Sequence, residues 1–377
     1  MPEDLAPYFL SLSHAHVLQI ILLGFIGGIL SGFIGSGGAF FMTPGMMNLG
    51  VTGVVAVGTN ITHKFGKAMM GSKKHGEMGH VDKKLGAFLI LTSFAGIRLA
   101  VWINSMLFKG GASSHGEGGG AAANLYISLV FVSILSVVAI SMLRDAFGSQ
   151  KEVNESGGPS QKIAEFFGRL KLHPMIYFPV ADARVSLWVL LIVGLATGYL
   201  AGTIGVGGFI GVPAMIYVFG LPTQVAAGTE LFLAMFMGGF GAINYAMEGF
   251  VDIRLVVLLY TGSLFGIYIG AYGTKVVKEV VIRVVTGMII ILCVLSRGIA
   301  IPIYLRQLGV LEMNASYDVF FNGASKALLF ISGITGTLVI LFYVFRAYRK
   351  RNRLQAALKA RSVPKRSAKP LSLAPSD

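Results

Sequence analysis

The chain has 377 residues, 54% of them hydrophobic and 13% charged, with a mean hydropathy of +0.73. Soluble domains carry about twice that share of charge, so an aqueous globular fold is excluded and a polytopic membrane protein is indicated. The formal net charge of +14 does not point to nucleic acid, because ten Lys and Arg against one Asp lie between Arg346 and Asp377 and no nucleic-acid-binding module accompanies them.

Residues 1–16 hold Glu3 and Asp4 but no Lys or Arg, and the apolar run that follows is too long for a signal peptide, so no cleavable leader is expected. Runs suited to a bilayer, at about 20 residues per crossing, cover 17–34, 85–108, 125–143, 187–204, 224–247, 255–273, 280–296 and 324–345. Residues 54–71 form a further, more polar crossing. The expectation is an all-α integral membrane protein with about nine spans, within a range of roughly 7 to 11. Two shorter apolar pieces, 39–49 and 209–221, directly follow glycine-rich breaks. They read as re-entrant half-helices.

These breaks belong to a repeat at an offset of 170 residues. The first copy reads GFIGSGGAFFMTP over 32–44 and the second GTIGVGGFIGVP over 202–213. Upstream, Gly24, Gly28 and Gly32 match Gly194, Gly198 and Gly202; downstream, Gly58-Thr59 matches Gly228-Thr229 and Val81-Asp82 matches Val251-Asp252. Apolar runs match by chance in composition but not in glycine, proline and aspartate register. Duplication is therefore the reading.

Loop charge gives the orientation. Loop 73–84 carries four lysines, whereas its counterpart 243–254 carries only Arg254; loop 109–123 has one Lys, whereas 274–283 has Lys275, Lys278 and Arg283. Equivalent loops thus face opposite sides, as two inverted repeats require. The resulting division is an extracytoplasmic N-terminus at 1–16, a first repeat at 17–143 and a cytoplasmic linker at 144–184. A second repeat follows at 185–296, then an extracytoplasmic segment at 297–323, a final crossing at 324–345 and a basic cytoplasmic tail at 346–377. Within the linker, 162–172 sets Ile163, Phe166, Phe167 and Leu170 on one face, the pattern of a short interfacial helix. The expected location is the cell (inner) membrane, multi-pass, with lipid as a surrounding partner and a homo-oligomer left open.

A helix broken inside the bilayer frees backbone groups that lipid cannot satisfy, so each break must line protein or a wet cavity. The glycine pairs Gly37-Gly38 and Gly207-Gly208 open short helices whose first N–H groups are free and whose dipoles are positive, which suits an oxyanion. Residues 54–71 align Asn60, Lys64, Lys67 and Gly71 on one face, with Thr59 and His63 widening the stripe. Ionisable groups in a span are costly and face a partner or a pathway; for Lys67, snorkelling to the headgroups is the competing reading. In the second copy Glu230 stands where Asn60 stands in the first, and Thr229 where Thr59 stands. Glu230 is read as a proton relay or as the ion-pair partner of Lys64. Arg98 is a weaker candidate for anion contact. Neither a metal site nor a cofactor is expected, and Cys293 is the only cysteine.

The glycine-rich break, the short helix with its proline and the following Gly-Thr resemble the TauE/SafE sulfite exporter family. The resemblance spans most of 17–295, with the stretch from FPV at 178–180 through SLWVLLIVGLATGYLAGTIGVGGFIGVPAMIYVFGLPTQVAAGT, 178–229 in all, the most diagnostic. It implies two inverted repeats and proton-coupled secondary transport, in the export direction, of a small sulfur oxyanion such as sulfite or an organosulfonate. Where the family's break commonly reads GxGGG, Ala39 and Phe209 replace the final glycine here. The chain is therefore read as a transporter and not an enzyme, with a small anionic solute and a proton as partners. The rivals are transport of another anion or of a cation, and an intramembrane hydrolase using Ser36 of Gly35-Ser36-Gly37 with His63.

Overall fold

The computed structural model describes residues 9–34, 38–112, 120–147, 173–205, 207–277 and 279–361. The first repeat contains α1 (His14–Ile34), the half-helix α2 (Ala39–Asn48), α3 (Gly53–Glu77), α4 (Lys83–Ala112) and α5 (Ala121–Phe147). A two-stranded antiparallel hairpin, β1 (Met175–Phe178) and β2 (Ala183–Ser186), leads into the second repeat. That repeat contains α6 (Leu187–Ile204), the half-helix α7 (Gly208–Tyr217), α8 (Thr223–Met247), α9 (Ile253–Val276) and α10 (Glu279–Gln307), and α11 (Ser316–Arg361) follows it. Among the described residues eight of these helices are long and apolar enough to cross a membrane. The polar α3 is the ninth long helix, and its full-length pairing with α8 identifies it as a crossing.

The two repeats interlock through contacts that the 170-residue offset converts into one another. Gly24, Gly28 and Gly32 of α1 lie against Leu259, Ser263 and Ile267 of α9, and Gly194, Gly198 and Gly202 of α6 lie against Leu89, Ser93 and Ile97 of α4. Both pairs run parallel and in backbone contact. A Cβ at Gly28 would lie 2.5 Å from the Ser263 carbonyl oxygen, and one at Gly198 would lie 2.1 Å from that of Ser93. This close approach is how membrane helices associate without a hydrophobic driving force between them. The upstream glycine rows are therefore packing surfaces.

The equivalent helices α3 and α8 cross antiparallel, since Gly58 meets Tyr245, Ile61 meets Gly241, Phe65 meets Gly238 and Gly71 meets Leu231. Siblings pointing opposite ways require a pseudo-two-fold axis in the membrane plane. Each repeat also caps its fourth helix identically. Asp82 Oδ1 accepts from the Leu85 N–H while the Asp82 N–H donates to Thr229 Oγ1 (3.0 Å); Asp252 Oδ1 accepts from the Arg254 and Leu255 N–H groups while the Asp252 N–H donates to Thr59 Oγ1 (3.2 Å). The Val-Asp register seen in the sequence is thus an N-cap whose backbone is held by the other repeat.

Several boundaries differ from the sequence reading. Residues 297–307, assigned to an extracytoplasmic segment, continue α10, because the charge that ended the apolar run is buried: Arg297 is 1% exposed and donates to Asn48 Oδ1 (3.1 Å) and Tyr304 OH (2.7 Å). Helix α11 overruns 324–345 at both ends, so the tail begins as helix. The β1–β2 hairpin, unforeseen in the linker, supplies the Val180 and Ala181 N–H groups that bind Asp82 Oδ2. The amphipathic stretch 162–172, residues 113–119 of the loop 109–123 and the tail beyond Arg361 lie outside the described residues.

Replacing Gly198 with alanine should cost about 1–3 kcal/mol by overpacking and lower the unfolding midpoint of the detergent-solubilised protein. Gly298→Ala is the control, because a Cβ at Gly298 in α10 meets nothing within 4 Å. Equal midpoints for the two variants would show that the α4–α6 contact is not close-packed.

Candidate functional site

The half-helices fold back into the protein. Gly38 packs on Gly27 and Gly45 on Leu23, so α2 runs antiparallel to α1 and begins several residues below the end of α1. A Cβ at Gly38 would lie 2.1 Å from the Gly27 carbonyl oxygen, which makes Gly38 a close-packing glycine. Gly37 and Ser36 lie outside the described residues. At the second break Gly205 caps α6 with φ +77°, a left-handed conformation that glycine adopts without strain. Gly207 is the N-cap of α7, and Gly208, its first residue, is buried.

The two breaks meet at the centre. Thr43 of α2 donates to the Ile204 carbonyl at the end of α6 (3.1 Å), and Asn60 of α3 donates to both Thr43 Oγ1 (2.8 Å) and the Ala39 carbonyl (3.0 Å). A Cβ at Gly205 would lie 3.0 Å from both Asn60 Nδ2 and Thr43 Oγ1. The carbonyl freed at the end of α6 thus finds a side-chain donor from the first repeat, and Asn60 Oδ1 stays buried without a partner.

Beside this junction lies a cavity of about 10 Å³, room for about one water molecule. Ile61 and Lys64 of α3 and Ala234, Met237 and Gly238 of α8 form one wall; Ile97, Ala201, Gly205 and Gly207 close the other. Among the described residues Lys64 is the only ionisable one lining it. Its Nζ lies 3.4 Å from where a Cβ at Gly207 would be, so the ammonium and the positive end of α7 share one space. Side-chain growth at Gly207 would push into it.

Glu230 stands on α8 one turn along α7 from this point, 3% exposed. Both of its carboxyl oxygens are buried without a hydrogen-bond partner. A Cβ at Gly211 would lie 2.1 Å from Oε2, so Gly211 is the residue that leaves the carboxyl group its room. Glu230 and Lys64 act on each other electrostatically but form no ion pair within 4 Å. The position of Gly211 could have been read from the repeat, since it falls where the two copies lose register by one residue. The apolar lining, Ile61, Ile97, Ala201, Ala234 and Met237, carries no such mark.

Other sequence candidates stand elsewhere. Thr59 and Thr229 accept the N–H bonds of Asp252 and Asp82 at the two ends of the α3–α8 pair, so their hydroxyls are engaged in joining the repeats. His63 is fully buried, bonds Ser263 Oγ through Nε2 (2.8 Å) and packs its ring 4.6 Å from that of Tyr260; it ties α3 to α9. Arg98 donates to Asn244 Oδ1 (3.0 Å) away from the cavity. Lys67 is half-buried one turn beyond Lys64 and does not line the cavity.

A family model for the sulfite exporter TauE/SafE matches residues 20–297. "Probable membrane transporter protein YdhB" of Bacillus subtilis (strain 168) is 27% identical over 274 residues, 71% of this chain and 94% of that protein. "Probable membrane transporter protein YjnA" of the same organism is 27% identical over 258 residues, 68% and 89% of the two chains, and "Probable membrane transporter protein YunE" is 23% identical over 282 residues, 72% and 94%. No solved structure matches. The matched region begins within α1 and ends in α10 at the buried Arg297, so it holds both breaks, Lys64 and Glu230, and leaves α11 outside. The chain belongs to the TauE/SafE sulfite exporter family.

Proposed function

We propose that this membrane transporter moves a small sulfur oxyanion, sulfite or an organosulfonate, out of the cell in exchange for or together with protons. The observation that carries this reading is the convergence of one ammonium, Lys64, with the amino end of the half-helix α7 at a cavity otherwise lined by apolar side chains. A cation in a water-poor enclosure acts on an anion far more strongly than it would in water. The N–H groups that begin α7 add fixed donors without costing side-chain order.

The cavity is smaller than a sulfite ion, so loading requires α3 and α8 to separate from α4 and α6. Glu230 supplies the coupling proton: its carboxyl group lies against α7 with no donor committed to it, free to take up and release a proton as the half-helix shifts. Its position beside Lys64 links the proton to the anion. The terminal orientation that loop charge favours puts the N-terminus outside and α11's basic end in the cytoplasm. Of the rival hydrolase's pair, Ser36 lies outside the described residues and His63 Nε2 bonds Ser263 Oγ.

Lys64→Ala should abolish uptake of labelled sulfite into proteoliposomes while the purified protein stays monodisperse; wild-type uptake would remove Lys64 from the mechanism. Glu230→Gln should retain sulfite-for-sulfite exchange and lose the response of net flux to an imposed pH gradient. A gradient response equal to wild type would exclude Glu230 as the proton carrier.

A further inference from the structure

Helices α3 and α8 end in the same cap, and the 170-residue offset converts one into the other. Gly79 (φ +72°) and Gly249 (φ +81°) turn the chain through the left-handed region. The His80 N–H then donates to the His75 carbonyl (3.0 Å) and the Phe250 N–H to the Tyr245 carbonyl (2.9 Å), the closing bond of a Schellman motif. Each cap is also held against the equivalent helix of the other repeat. A Cβ at Gly228 would lie 2.2 Å from the His80 carbonyl oxygen, and one at Gly58 would lie 2.4 Å from that of Phe250. Two residues on, the Asp82 and Asp252 N–H groups donate to Thr229 and Thr59.

The side chains that close the two caps differ in kind. An apolar contact commonly joins the two residues linked by the closing bond, and the second repeat follows that pattern: Tyr245 and Phe250 are 0% and 1% exposed and both lie against Gly58. In the first repeat both positions are histidine, half-buried, with ring centroids 5.9 Å apart. Nδ1 of each ring is buried without a hydrogen-bond partner. A neutral ring can keep such a nitrogen as a bare acceptor, whereas protonation makes it an N–H donor with nothing to receive it and sets two like charges face to face. The surroundings do not offset that charge. Lys73, Lys74 and Glu77 of α3, Lys83 and Lys84 of α4, and Asp182 and Arg184 of the hairpin are all exposed, and Asp82 is committed to N–H groups of α4 and the hairpin. These are five cations against three carboxylates. Helix α8 brings no ionisable residue to the contact before Glu230, and Lys74 and His80 are the groups that act on His75 electrostatically.

We propose that the α3–α4 cap is a pH-sensitive latch on α8: with His75 and His80 neutral it holds Gly228 and Thr229 and closes this end of the α4–α8 seam, and with both charged it releases them. This rests on the transport reading above and adds to it regulation from the side that loop charge favours as cytoplasmic. Glu230 directly follows Thr229, so release exposes the turn that carries the carboxyl group and lets α8 part from α4. The closed cap binds fewer protons than the open one; closure is therefore favoured above the ordinary histidine range, about pH 6.5, and weakens as pH falls through it. The device is one-sided. Tyr245 and Phe250 do not change charge near neutral pH, so acidification loosens one end of the α3–α8 pair and leaves the other shut, the asymmetry that alternating access needs.

Amide hydrogen exchange of the full-length protein in lipid nanodiscs, corrected for the intrinsic pH dependence of exchange, reads the two caps side by side. Between about pH 7.5 and about pH 5.5 the amides of 79–82 should lose protection at least tenfold relative to those of 249–252. His75→Gln with His80→Gln should remove that difference, as should His75→Phe with His80→Phe, which returns an apolar pair. Protection at 79–82 that falls no further than at 249–252 would overturn the latch, and so would a fall that persists once neither residue can be charged. Its hold on transport is read by exchange of labelled methanesulfonate, which keeps one charge over this range: exchange should rise at least threefold on acidification in wild type and stay level in both double variants. A cap that opens while exchange stays flat would overturn that control. Absence of exchange of methanesulfonate and of sulfite at either pH would instead sink the transport reading, with the hydrogen-exchange result still standing on its own.

Discussion

A polypeptide interrupted in the middle of a bilayer must find partners for its freed N–H and C=O groups inside the protein, and the rest of this architecture follows from that requirement. Each unsatisfied group facing hydrocarbon costs several kcal/mol. The end of α6 meets it with Gly205 in a left-handed cap and with Thr43, from the opposite repeat, donating to the Ile204 carbonyl. Asn60 braces the start of α2 by donating to the Ala39 carbonyl and to Thr43 Oγ1. Too short to cross a bilayer, the half-helices are held within the protein, and side chains of α2 and α3 meet the end of α6 between them.

Duplication gives the frame, and departures from it give the chemistry. Where the two copies agree, the residues pack or cap: the glycine rows of α1 and α6, the N-caps Asp82 and Asp252, and the threonines that bind those caps. Where they differ, polar groups stand at the centre: Asn60 against Glu230, Lys64 against Ala234, Lys67 against Met237. A symmetric pair of lysines at 64 and 234 would have put two cations into a cavity of one water's size. Confining positive charge to α3 and the carboxyl group to α8 keeps the two kinds of charge on different helices.

The sequence made the frame legible because glycine, proline and aspartate recur in register, and these types are demanded by backbone geometry. Lys64 and Glu230 were also conspicuous in the sequence, since a charge in an apolar run stands out, and both lie beside the start of α7. It misjudged Thr59, Thr229 and Gly38, because residue type does not say whether a hydroxyl or a bare Cα faces a solute or a neighbouring helix. Thr59 and Asn60 are adjacent on α3, yet the first reaches Asp252 and the second Thr43. The apolar lining was invisible for the opposite reason: Ile97 and Met237 look like any lipid-facing or core residue until the crossing of α3 and α8 is known. Arg297 misled the boundary of α10 because its partners lie 249 residues away in sequence at Asn48 and one helical face along at Tyr304.

The helix outside the family match breaks the symmetry in a second way. Residues 39–47 of α2 are all buried, and Asn48 at its end is bound by Ser296, Arg297 and Ser325 of α10 and α11. In α7 the residues Val212, Pro213, Ala214 and Ile216 are only half-buried. Two half-helices of one ancestry are thus held unequally: α2 is pinned at its far end to the α10–α11 pair, while α7 packs mainly on its own neighbours α6 and α8. Glu230 and Lys64 both stand against α7. Among the described residues, the charged groups therefore stand against the less buried of the two half-helices.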